Sequence, residues 1–259
     1  MRERGSVGTA GRRYRRRSGY TGSAPVRSAT LPFVDWPLLD AVPDEERRRF
    51  VAIARRRRFE KGEVVFHEGD LGDTLHLVAS GRFSVRVQSP LGETALLSLV
   101  GPGDFFGILA LIDGGGSRRS ATVLAIERAE TLAVRKEEFD VLRAKFPAIT
   151  EVLVRALGEN VRRLSDALVE AMYTPVEPRL LRRLLQSASL WDGSHVPLTQ
   201  EDLAGLAGTT RPTANKVLRD AEAHGLIRVG RGRVEILDAA QLARRAGMRS
   251  PASVGRDSL

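Results

Sequence analysis

Between Phe105 and Ala125 the chain reads FFGILALIDGGGSRRSATVLA. An apolar strand end meets Gly107, a short helical stretch follows, and three glycines lead into Arg118-Arg119-Ser120. An anion beside helix-start amides, with a guanidinium opposite, is a sound arrangement for a phosphate clamp. A second group lies nearer the C-terminus. TRPTANKVLRDAEAHGL (210–226) sets Thr210, Arg211, Thr213, Asn215 and Lys216 at the start of a helix, where long hydrogen-bonding side chains read base edges in a major groove. The segment after it, IRVGRGRVEIL (227–237), adds Arg228, Arg231 and Arg233, which suit DNA phosphates. His67, His76, His195 and His224 are scattered without metal-ligand spacing and are expected in core or on surface.

Distinct periodicities must position these groups. PLLDAVPDEERRRFVAIARRRRF (37–59) predicts a short amphipathic helix starting near Pro43 and Asp44, with Phe50, Ile53 and Ala54 on one face. From Gly62 to Arg135 short apolar runs alternate with glycine turns: 63–66, 74–79, 83–87, 94–100, 120–125 and 129–134. Strands at such spacing predict an antiparallel roll. Lys136 to Phe146 reads as a helix ended by Pro147. A longer one follows over about 148–172, where Val154, Leu157, Val161, Leu164, Leu168 and Ala171 recur at 3, 4, 3, 4, 3. That 3.5-residue seam fits a two-chain coiled coil. Pro175 and Pro178 end it as a hinge. Residues 179–188 read as helical and 191–198 as a hairpin-like connection. Then come a helix at 199–208 capped by Thr199, a turn at Gly208-Thr209, a helix at 210–226 capped by Thr210, and two strands around Gly230-Arg231-Gly232. Val217 and Leu218 face inward on the second helix. The fold class is therefore α+β: an N-terminal β-roll of double-stranded jelly-roll type, a long dimerisation helix and a C-terminal winged helix-turn-helix. The expected divisions are a disordered basic tail at 1–30, the roll with flanking helices at 31–146, the dimerisation helix at 147–174, the winged domain at 175–247 and a flexible tail at 248–259.

Composition narrows the function. The formal net charge is +9, of which residues 1–30 supply +7 through eight arginines against Glu3, so the rest of the chain is nearly neutral. The absence of cysteine excludes disulfides, thiolate zinc sites and cysteine-held iron–sulfur clusters. No run of about 18 apolar residues is present and no secretory signal is read, so a cytoplasmic protein with no membrane partner is expected. GxSxG and kinase signatures are missing, which argues against an enzyme.

The segments FEKGEVVFHEGDLGDTLHLVASGRFSV, PGDFFGILAL with RRSATVLA, and LTQEDLAGLAGTTRPTANKVLRDAEAHGLI resemble the catabolite-activator/fumarate-nitrate-regulator superfamily over residues 33–240. The resemblance implies a cytoplasmic bacterial transcription regulator, with a roll that binds a cyclic nucleotide such as cyclic AMP. It implies a homodimer joined through Val154, Leu157, Val161, Leu164 and Leu168, double-stranded operator DNA as partner, and RNA polymerase as a further candidate. It maps Arg119 onto the phosphate arginine, Ser120 onto the hydroxyl beside it, and Gly107, Ile108 and Leu109 onto the amide cradle, with Arg118 as a substitute. It also puts Ile108 where the family has its ribose-binding glutamate, and Leu164 on the first of two purine-touching hydroxyl residues, leaving Ser165. Cyclic AMP is then expected to bind weakly, and DNA binding to be substantial without it. Two other readings stay open: an architectural DNA-binding protein that ignores ligands, and a nucleotide-gated module of an enzyme.

Overall fold

A computed structural model describes residues 34–90, 92–112, 118–191 and 194–248. The arginine-rich tail (1–30), residues 113–117 within the clamp motif and the end of the chain (249–259) lie outside the described residues.

After a single 3-10 turn at Pro37–Leu39, α1 (Asp44–Ile53) leads into eight strands. These are β1 (Arg55–Phe59), β2 (Val64–Phe66), β3 (Thr74–Ser80), β4 (Phe83–Gln88), β5 (Thr94–Val100), β6 (Phe105–Phe106), β7 (Thr122–Ala125) and β8 (Ala129–Arg135), with the one-turn helix α2 (Leu109–Ile112) after β6. They form two antiparallel sheets in the orders β1-β8-β3-β6 and β2-β7-β4-β5. Phe59, Val78 and Phe106 of the first sheet meet Phe83, Val123 and Ala125 of the second in one buried cluster. Phe59 and Phe83 meet edge to face with centroids 5.6 Å apart, a favoured aromatic geometry.

The helix expected over 37–59 stops at Ile53. RRRRF is a strand instead, with Arg58 opposite Glu130 and Phe59 opposite Ala129 on β8. Pairing along β8 explains the choice: Phe59 enters the core, while Arg56 and Arg58, on the opposite face, lie 2.7 Å and 3.2 Å from the Glu130 carboxylate. Phe50 is buried as expected, but Ile53 is 58% exposed, so it is not part of the apolar face. The run expected at 120–125 begins pairing only at Thr122. Residues before it are tied to the β2–β3 loop, where the Gly69 amide donates to Arg119 O and the Arg119 amide to Asp70 O, both at 2.8 Å.

α3 (Lys136–Lys145) and α4 (Ala148–Tyr173) follow. α4 has 26 residues and is about 39 Å long at 1.5 Å per residue. Its first turns bury Ile149 and Leu153. Beyond them Val154, Val161, Leu164 and Leu168 are between 51% and 63% exposed, and Leu157 is half-buried. α5 (Val176–Ala188) starts with Pro175 as its N-cap and holds Pro178 in its first turn, so Pro178 opens α5 and does not end α4. A proline without an N–H costs nothing there.

The last unit comprises α5, β9 (His195–Val196), α6 (Gln200–Ala207), α7 (Arg211–Ala223), β10 (Ile227–Gly230), β11 (Arg233–Ile236) and α8 (Ala239–Arg245). The segment expected as a hairpin-like connection supplies β9, which pairs with β11 as the third strand of the wing sheet. Leu180, Leu184, Leu203, Leu218, Val234 and Leu242 share its core.

Candidate nucleic-acid interface and anion clamp

α6 begins with a reciprocal cap. The Asp202 amide donates to Thr199 Oγ1 at 3.1 Å, and the Thr199 amide to Asp202 Oδ2 at 2.8 Å, satisfying two otherwise orphaned donors. α6 ends at Gly208 with φ of 58°, a left-handed conformation that glycine adopts without strain. α7 leaves this turn with Thr210 at the cap position and Pro212 in the first turn. The Thr210 hydroxyl makes no cap bond; it meets Thr213 Oγ1 at 3.0 Å. Ala214, Leu218 and Ala221 bury one face of α7. Arg211, Thr213 and Lys216 are exposed, and Val217 is only half-buried. Asn215 departs from expectation: it lies on the flank of the buried face, with its side-chain oxygen buried and unpartnered among the described residues. At 100° per residue it trails Ala214 and Leu218 towards the core, away from Thr213 and Lys216.

In the wing, Arg231 and Arg233 are exposed. Arg228 is exposed as well, and its Nη1 donates to Glu235 Oε2 across the hairpin at 2.8 Å, so a phosphate there would share it with a carboxylate. Two residues that the sequence motifs do not include hold the assembly. Arg179 is buried, and its Nη1 donates to the carbonyls of Glu170 (3.3 Å), Ala171 (2.9 Å) and Thr174 (3.3 Å) while Nη2 donates to Gly208 O at 3.2 Å. One guanidinium thus caps α4 and grips the turn before α7. Arg245 of α8 pairs with Glu177 and Asp220, tying α7 to α5. Neither is signalled by sequence spacing: Arg179 is held by backbone carbonyls at the end of α4 and at Gly208, and Arg245 by carboxylates 68 and 25 residues away.

The clamp motif brings Gly107 and Arg119 together, in a different way from expectation. Arg119 is 4% exposed. Its Nη1 donates to Thr74 O (2.8 Å) and Gly107 O (3.0 Å), and Nη2 donates to Thr74 Oγ1 (2.9 Å). The guanidinium also lies 4.1 Å from the Phe66 ring centroid. Gly107 has φ of 87°, and a Cβ there would stand 2.7 Å from Arg119 Nη1; glycine is required by both conformation and space. Burial lowers the Arg119 pKa, opposed by Asp73 and Asp70. Only Nε remains buried without an acceptor. The expectation of a guanidinium standing free for an anion is not met, because backbone carbonyls already occupy it. Ile108 is buried, and its carbonyl accepts from the Leu111 (2.9 Å) and Ile112 (3.2 Å) amides to start α2. Leu109, Ser120 and, on α4, Ser165 are exposed. Arg118, the substitute, is exposed and donates to Gly69 O at 2.7 Å. Beneath the clamp, His76 stacks on Phe106 with centroids 5.0 Å apart and shares a hydrogen bond with Thr131 Oγ1 at 3.0 Å. Burial, aided by the Arg119 and Arg57 charges, pushes its pKa down to about 3, so it is a neutral core group.

Residues 56–146 match the cyclic nucleotide-binding domain family, and residues 178–245 match the Crp-like helix-turn-helix domain. A CRP-like cAMP-activated global transcriptional regulator of Mycobacterium tuberculosis is 37% identical over 198 residues, covering 73% of this chain and 86% of its own. The chain belongs to the Crp/Fnr family of transcription regulators. A cyclic AMP receptor protein of Thermus thermophilus is 32% identical over 206 residues, covering 80% of this chain and 94% of its own. A solved CRP-family regulator of that organism superimposes with a TM-score of 0.63 at 28% identity, covering 74% of this chain and 96% of its own. As a member of that family the protein is a DNA-binding transcription regulator with an α+β fold. Among the described residues no helix is long and apolar enough to cross a membrane, and no cluster of side chains fits a metal ion.

Proposed function

We propose that the protein works in the cytoplasm as a homodimer, paired through α4, that sets two α7 helices into successive major grooves of a palindromic operator. The roll (31–146), the dimerisation helix (147–174) and the winged domain (175–247) carry the effector, pairing and reading roles. The observation that carries this reading is α7 itself: Arg211, Thr213 and Lys216 stand exposed at its start, with exposed Arg231 and Arg233 on the wing. Base edges fall to the helix and phosphates to the wing. Footprinting at moderate salt is expected to show a protected dyad with half-site centres about 34–36 Å apart. A footprint spread evenly over all sequence would favour an architectural binder instead.

The effector reading is weak binding of a cyclic nucleotide. Arg119 supplies the charge, yet an anion must compete with two carbonyls and a hydroxyl for it. Ile108 offers a ribose hydroxyl no acceptor side chain. A hydrogen bond to a charged group is worth about 1.5–3 kcal/mol, so Ile108→Glu is expected to tighten cyclic AMP about ten- to a hundred-fold. Arg119→Ala is expected to remove the binding that exists. Calorimetry of the dimer against cyclic AMP checks both. A wild-type dissociation constant below about a micromolar would contradict the weight given to the missing carboxylate.

A further inference from the structure

The reading helix is mixed in charge. α7 carries Arg211, Lys216 and Arg219 against Asp220 and Glu222, and all five are exposed. A carboxylate near a groove-facing surface repels DNA phosphates, and one placed four residues from a lysine on a helix pairs with it. Asp220 stands at that spacing from Lys216. At 100° per residue it lies about 40° around the helix from Lys216 and one turn further on. Both are on the half of α7 turned away from the buried Ala214, Leu218 and Ala221.

Both carboxylates of α7 are engaged by other elements. Asp220 Oδ2 accepts from Arg245 Nη2 of α8, and Nε of the same guanidinium donates to Glu177 Oε1 of α5. α8 is itself anchored: Leu242 is fully buried in the winged domain's core, and Asp238 caps the helix by accepting from the Gln241 amide at 2.8 Å. Arg245 is thereby delivered to Asp220 from a fixed position. Glu222 Oε1 accepts from the Val229 amide of β10 at 2.7 Å. Arg211, Lys216 and Arg219, by contrast, make no ion pair among the described residues. The two acids of the helix are turned aside and its three cations are left for a partner.

We propose that Arg245 is a positioning residue for DNA reading: it holds Asp220 away from Lys216, so that Lys216 stays free for a guanine edge or a phosphate. This rests on the reading of α7 as the base-reading helix. Two cations contend for one carboxylate. Arg245 brings a planar fork that bridges Asp220 and Glu177, whereas Lys216 offers a point charge on a flexible stem. The fork wins, and Lys216 is spared. Arg245 lies outside both the helix-turn-helix and the wing strands, and it acts on DNA only through Asp220. An exposed ion pair adds little to stability by itself. Its weight here is in what it prevents, because a released Asp220 would take a DNA-facing cation from each winged domain of the dimer.

The probe is a duplex enriched from a random pool by the wild-type protein, titrated against full-length variants by fluorescence anisotropy. Arg245→Gln is expected to bind it at least about fivefold more weakly than wild type, the scale of one lost DNA contact. Adding Asp220→Asn to that variant is expected to restore binding to within about twofold. A merely structural tie would not recover in this way, since the second substitution removes a charge and adds no bond. In a Lys216→Ala background, Arg245→Gln is expected to weaken binding by less than about a further twofold. Unchanged binding in Arg245→Gln, no recovery in the double variant, or full additivity with Lys216→Ala each overturns the proposal. Asp220→Asn alone decides the matter if the melting curve shows Arg245→Gln unfolded. It is expected to stay within about twofold of wild type, because a masked carboxylate does not repel DNA. A larger gain in affinity means that Asp220 was never masked, a larger loss means that the pair only braces the domain, and either overturns the proposal. Wild-type affinity in Lys216→Ala would count against α7 as the reading helix, a different failure from any of these.

Discussion

Replacing both Leu157 and Leu164 by glutamate is expected to give a monomer that no longer holds an operator. Along α4, Val154, Val161, Leu164 and Leu168 stand between 51% and 63% exposed. An apolar stripe of this length in water marks an interaction face. Covering one such side chain is worth about 1.5–3 kcal/mol, and the seam offers several from each chain. Two carboxylates per helix would face their copies across it, so association loses apolar area and gains like-charge repulsion. The consequence for DNA binding is larger than either effect on the seam. Two linked reading heads bind with an effective concentration that raises avidity by about 10²–10⁴ over one head. Sedimentation of the wild type at micromolar concentration, beside operator titration of the variant, checks both halves. A wild-type monomer under those conditions sinks the dimer reading.

The roll and the helix-turn-helix were legible because their signals are local. Strands at 74–79, 83–87, 94–100 and 129–134 alternate between glycine turns, and each lies within an observed strand. The cap at Thr199 needs only Asp202 three residues on. Less legible was whatever depends on distant partners. Four arginines and one phenylalanine gave no apolar alternation, so β1 became visible only through Glu130 on β8. Arg179 looks like one more helical cation until the carbonyls of α4 and Gly208 surround it. Arg228 reads as a wing cation until Glu235 is placed opposite it in the register. Arg119 was found by its motif, but the carbonyls that hold it could not be read from the motif. Residue type indicates a capacity for chemistry; tertiary neighbours decide whether that capacity is free.

The same distinction separates two arginines that are free. Arg211 is the first residue of α7, and Arg231 sits at the turn between β10 and β11; both are exposed. In a groove, a guanidinium at Arg211 would donate two hydrogen bonds to a guanine edge. Arg211→Ala is then expected to cost about 1–3 kcal/mol in each half-site and to relax base preference at one position of each. On a two-fold operator the losses fall on both halves together, so specific affinity drops far more than affinity for scrambled DNA. Arg231 would meet phosphate, which carries no sequence information. Arg231→Ala is expected to weaken specific and scrambled duplexes alike and to flatten the slope of log K against log salt by about one unit for each phosphate left without its cation. Titrations of both variants on both duplexes at several salt concentrations separate the roles. If the two variants lose affinity by the same factor on specific and scrambled DNA, α7 does not read bases through Arg211.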